Sequence, residues 1–168
     1  MPILSSGEST ITRSACTWIL PASVESPGEA RRQATDRLQE WQHSELSDNA
    51  ALIISELVTN AVHHGAGPAW LTLRMVHDEA AGCVLRIEVG DHGPGWDGGL
   101  PSRATPSDED CNGRGLCLVE AVSSRWGTYR LPHGQLVWAE LVAREQHDCR
   151  TDRLEEQVEG LVPGQVAA

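Results

Sequence analysis

Three short polar motifs lie in fixed order along one run of helix and strand patterns, and that order limits the fold more than any other property of the chain. They are Glu56-Leu57-Val58-Thr59-Asn60-Ala61 within an apolar helical stretch, Asp91-His92-Gly93-Pro94-Gly95 directly after a strand pattern, and Gly113-Arg114-Gly115-Leu116 at the opening of another helix. Each places polar groups where an element otherwise buries one face. Those groups therefore need partners on a neighbouring element or in a ligand.

The patterns around the motifs predict an α+β chain. Residues 14–20 read as a strand stopped by Pro21. Ser26-Pro27-Gly28-Glu29 then suggests a helix start, with Ser26 as N-cap and Glu29 closing a capping box, and a helix over 27–42. Apolar residues at spacings of three and four (Ala50, Ile53, Ile54, Leu57, Val58, Ala61) predict a helix over 47–64, ended by Gly65. Clean alternation over 69–77 and 84–89 predicts an antiparallel hairpin. Residues 90–112 have no period and read as a long loop, of the kind that serves as a lid or binding loop. A helix over 113–124 and a second hairpin (127–131, 135–143) follow. Strands flanking helices without strict alternation predict a two-layer sandwich, helices on one face of a mixed, mostly antiparallel sheet. The expected organisation is a loose arm over 1–13, one domain over 14–143 and a charged tail over 144–168.

Composition narrows the functions available. A net charge of −11 argues against a nucleic-acid or anionic-membrane surface. All thirteen basic residues are Arg, which excludes a lysine-bearing phosphate loop and Schiff-base chemistry. The five cysteines form no CxxC pair and read as reduced thiols, mostly small core residues. No apolar run approaches the roughly 18 residues of a membrane span, and no signal pattern opens the chain, so the expected location is the cytoplasm.

The motifs carry chemistry under two readings each. Glu56 and Asn60, four apart, share a helix face. They are either a pair satisfied by backbone and solvent, or a base and a metal-binding amide: Mg²⁺ takes hard oxygen ligands beside substrate phosphates. Asp91 with Gly93 and Gly95 is either a glycine turn with an Asx cap or an acceptor for an exocyclic amine, with glycines admitting a flat ring. An ionised carboxylate only accepts, which suits adenine rather than guanine. Gly113, Arg114 and Gly115 are either a hinge or a phosphate site at a helix N-terminus. The run Asp108-Glu109-Asp110 just before them opposes phosphate approach, and Arg103 is the only other basic residue of the loop.

The order and wording of these motifs resemble the histidine-kinase-like ATPase (Bergerat, or GHKL) superfamily. Within it they are most similar to the anti-sigma-factor serine kinase branch, through Ser55 to Ala61, Asp91 to Gly95, Gly113 to Leu116, Trp126-Gly127 and Val137-Trp138-Ala139-Glu140-Leu141. The resemblance implies an ATP and Mg²⁺ site with Asn60 on the metal and Asp91 on the adenine amine. It also implies Gly93 and Gly95 around the base, Gly113, Arg114, Gly115 and Leu116 over the phosphates, and Glu56 as general base. It further implies a dimer that holds a sigma factor and phosphorylates a serine of an antagonist protein. The alternative is a module that binds ATP, or no nucleotide, without catalysis. A detached sensor kinase is less consistent, since the first helix pattern contains no histidine.

Overall fold

The computed structural model describes residues 11–78, 81–94, 112–143 and 155–158. Gly95, Arg103 and the acidic run 108–110 lie outside the described residues, as do residues 1–10 and most of the tail. The elements run β1 (Ile11–Leu20), α1 (Ser26–Glu40), a 3₁₀ turn (Ser44–Leu46), α2 (Ser47–His64), β2 (Ala69–Asp78), β3 (Gly82–Asp91), α3 (Asn112–Val122), β4 (Arg125–Leu131), β5 (Gly134–Val142) and β6 (Glu155–Val158).

The described strands form one sheet in the order β4-β5-β3-β2-β1-β6. Every neighbouring pair is antiparallel except β1 and β6, which run parallel. The fold is the expected two-layer α+β sandwich. Both predicted hairpins are present, and β5 returns to pair with β3, which puts Asp91 opposite Gln135.

Alternation along the strands builds the core. Leu71, Leu73 and Met75 of β2, Leu85, Ile87 and Val89 of β3, and Val137, Ala139 and Leu141 of β5 are buried in a single cluster. Helix α2 closes it with Ile53, Ile54, Leu57, Val58 and Ala61. Its broad apolar stripe lets it pack on α1, α3 and three strands at once. Small residues Ala30 and Ala34 bring α1 close, and Leu116 and Val119 anchor α3.

Three local expectations are corrected. Ser26 is the first helical residue and not the cap; its hydroxyl donates to the Pro21 carbonyl at 2.6 Å, tying the strand end to the helix start. Gly65 ends α2 as expected, in an extended conformation (φ −77°, ψ 174°). Strand β3 continues through Gly90 and Asp91, so the loop begins two residues later than the glycine-rich composition implies. Cys83 is disulfide-bonded, whereas Cys16 (buried) and Cys117 (exposed) keep their thiols. Chain spacing carries no information on the short Cα separation a disulfide needs, so only the fold reveals such a bond. Two further segments extend the sheet: β1 begins at Ile11, within the expected arm, and β6 comes from the expected tail.

The opposite sheet face carries a charged ladder. Arg86 donates to Glu88 and to Glu140, each at 2.7 Å, and its guanidinium lies 4.1 Å from the Trp138 ring centre. Burial pulls its pKa down, and the hydrogen bonds to Glu88 and Glu140 outweigh that, so the group sits above its usual value. The three side chains are only 13–19% exposed. Arg86→Ala leaves Glu88 and Glu140 with the longer 3.6 Å pairs to Arg74 and Arg125, and we expect a loss of about 2 kcal/mol, between an exposed and a buried pair. An unchanged denaturation midpoint would show that the ladder contributes nothing to stability.

Candidate functional site

The three motifs converge along α2. Glu56 and Asn60 stand half-buried, one turn apart. The first turn of α3 lies on Glu56: a Cβ built on Gly115 would come within 2.5 Å of Oε2. That contact joins the first motif to the third. Helix α3 starts at Asn112, so Gly113, Arg114 and Gly115 occupy its first turn, where N–H groups lack partners within the helix. Leu116 is 7% exposed and belongs to the core cluster, so it holds α3 in place.

The other end of α2 meets the second motif. Asp91 closes β3 and is 3% exposed. Its Oδ1 accepts from the Gly93 N–H at 2.7 Å, and its Oδ2 accepts from Gln135 Nε2 at 3.2 Å. The Asx-turn reading of the Asp91–Gly93 segment is therefore correct as geometry, and among the described residues each oxygen accepts one hydrogen bond and has a second acceptor direction left.

Backbone crowds this carboxylate. A Cβ on Gly65 would overlap the Ala61 carbonyl oxygen and stand 2.8 Å from Asp91 Cβ. A Cβ on Gly93 would come 2.7 Å from the His64 carbonyl oxygen and 2.8 Å from Gly65 Cα. Glycine at 65 thus serves close approach, which is why it is present at a helix end that does not need a left-handed residue. His63 and His64 are exposed at the helix end.

Along the α2 axis, Glu56 precedes Gly65 by about 13 Å at 1.5 Å per residue. Asn60 lies between them. A carboxylate and an amide oxygen on α2 and a buried acceptor beside its end are therefore set in order, with the first turn of α3 against the first. Such a row is long enough for an extended nucleoside triphosphate. The donors on α2, a carboxylate and an amide oxygen, are hard ligands and fit Mg²⁺. Among the described residues no group of three His, Cys, Asp or Glu forms a metal cluster, and no helix is long and apolar enough to cross a membrane.

Gln135 and Gly134 were not singled out by sequence, and Gly65 was read only as a helix end. The signal for Gln135 was present: it occupies the inward row of a strand whose next members are Val137, Ala139 and Leu141. A polar residue on a buried row asks for a polar partner.

A family model described as histidine kinase-like ATPase domain matches residues 20–141. Comparison with curated proteins gives no match. Among solved structures, the chain is similar to the histidine kinase domain from Erythrobacter litoralis EL346 blue-light activated histidine kinase. Identity is 18% and the TM-score 0.43, over 70% of this chain and 61% of that one, less than two thirds of its length.

Proposed function

We propose, because this chain belongs to the histidine kinase-like ATPase domain family, that it is an ATP-dependent protein serine/threonine kinase of the anti-sigma-factor type. ATP binding follows from the family. The kinase reading rests on Glu56 and Asn60 one turn apart on α2, with Asp91 beside Gly65 at the end of that helix.

In this reading Asp91 accepts from the adenine amine, and Gly93 and Gly95 lie against the ring. Gly113, Arg114 and Gly115 bind the phosphates through the first turn of α3. Asn60 would hold Mg²⁺, which neutralises phosphate charge when bound. Glu56 takes the proton of a serine hydroxyl as its oxygen attacks the γ-phosphorus; the bond to the β-phosphate oxygen breaks and ADP leaves. The partners are a sigma factor and a small antagonist protein that carries the serine, and the working form is a cytoplasmic dimer. Phosphorylation adds nearly two negative charges to the antagonist and weakens its contact.

Incubation with labelled ATP and the cognate antagonist tests this. Transfer is expected, and Glu56→Gln should slow it by about a hundredfold to ten-thousandfold while ATP affinity stays within about twofold. No transfer by the wild-type chain to its true partner would reject the kinase. One observation favours a second reading, a nucleotide-binding regulator without catalysis: the first turn of α3 covers the Glu56 carboxylate. ATP-dependent partner binding with no transfer would decide for it.

A further inference from the structure

The inward row of β5 reads Gln135, Val137, Ala139, Leu141. The last three join the hydrophobic core, and the first is an amide only 7% exposed. A primary amide on such a row is costly unless paired. Its pairing is with Asp91, its direct neighbour across β3 and β5.

Gln135 Nε2 lies 3.2 Å from Asp91 Oδ2, while the Gly93 N–H reaches Oδ1 at 2.7 Å. Because an ionised carboxylate only accepts, the amide must turn its NH₂ toward it. One donor comes from the turn after β3 and the other from the next strand, so together they fix the plane of the carboxylate. Gly134 keeps this strand in reach, since a Cβ there would overlap the Asp91 carbonyl oxygen.

We infer that Gln135 is a positioning residue for nucleotide selection: it aims the remaining acceptor direction of Asp91 at the exocyclic amine of a purine. Selectivity for a 6-amino purine then belongs to the Asp91–Gln135 pair rather than to Asp91 alone. The inference rests on the ATP reading above and adds to it the group that sets base identity. A core residue that merely fills space would support all nucleotides equally. A positioning residue acts only through the atom that Asp91 meets.

That difference gives the test. Gln135→Met keeps the chain length and removes the amide. Calorimetry on the full chain with Mg²⁺ compares ATP with purine riboside triphosphate, which carries hydrogen in place of the 6-amino group. We expect the variant to bind ATP about tenfold more weakly, the worth of one charge-assisted hydrogen bond. Its affinity for the 6-hydrogen nucleotide should change less than about twofold, which also reports an intact pocket. Equal losses on both nucleotides would overturn the inference and leave Gln135 a packing residue; an unchanged ATP affinity would overturn it as well. A wild-type chain that binds neither nucleotide would instead reject the ATP reading itself.

Discussion

Asp91→Asn is expected to weaken ATP binding by about a hundredfold while the protein stays folded. The magnitude follows from losing a charged acceptor and gaining a mismatched donor, each a charge-assisted or buried hydrogen bond of roughly 1.5 kcal/mol. The fold survives because the neighbours can adapt. The Asn carbonyl oxygen still accepts from the Gly93 N–H, and the Gln135 amide can rotate to present its oxygen to the new NH₂. The pocket side of residue 91 then offers an N–H to the adenine amine, donor against donor. Thermal unfolding measures both halves of this expectation. At 100 times the wild-type Kd, ATP should add about 2.7 kcal/mol to the native chain and about 0.4 kcal/mol to the variant. A variant stabilised as strongly as the native chain would remove Asp91 from the base site.

What could be read in advance follows a physical pattern. Residues 47–64 were predicted as a helix and form α2 with the same limits, because 18 residues with a broad apolar stripe leave little choice of period. The hairpin of β2 and β3 was equally legible, since alternation that buries one face fixes which residues turn inward. Errors collected at element ends, where one hydrogen bond decides. Ser26 has the composition of a cap, yet its hydroxyl finds the Pro21 carbonyl instead.

Which side chains distant in sequence touch one another was not legible from the local pattern. Nothing within the local sequence reveals that Gly115 lies against Glu56, or that Gln135 faces Asp91, 44 residues away. The motifs supplied the ends of the site, and the pairing of β3 with β5 supplied what holds one of them still.

The glycines around this pairing give the second large expectation, because they separate backbone strain from crowding. Gly134 has φ 153°, in a region L side chains rarely adopt, and an added Cβ would overlap the Asp91 carbonyl oxygen and stand 3.1 Å from His92 Cα. Strain and overlap together should make Gly134→Ala cost about 4 kcal/mol. The melting temperature would fall by roughly 8 to 16 °C. Gly67 also has a positive φ, 73°, but nothing lies within 4 Å of its Cβ position. Gly67→Ala isolates the conformational cost, about 1 kcal/mol. Gly28 sits exposed in the first turn of α1 with only the Arg31 guanidinium near, at 3.7 Å, so Gly28→Ala should gain about 0.5 kcal/mol. The expected order of melting temperatures is therefore Gly28→Ala above the native chain, then Gly67→Ala, then Gly134→Ala far below. Of the three, only Gly134→Ala should also weaken ATP binding, since only it displaces the strand that carries Gln135 to Asp91. If Gly134→Ala melted with Gly67→Ala and bound ATP normally, the close approach of β5 to Asp91 would have no part in holding the carboxylate.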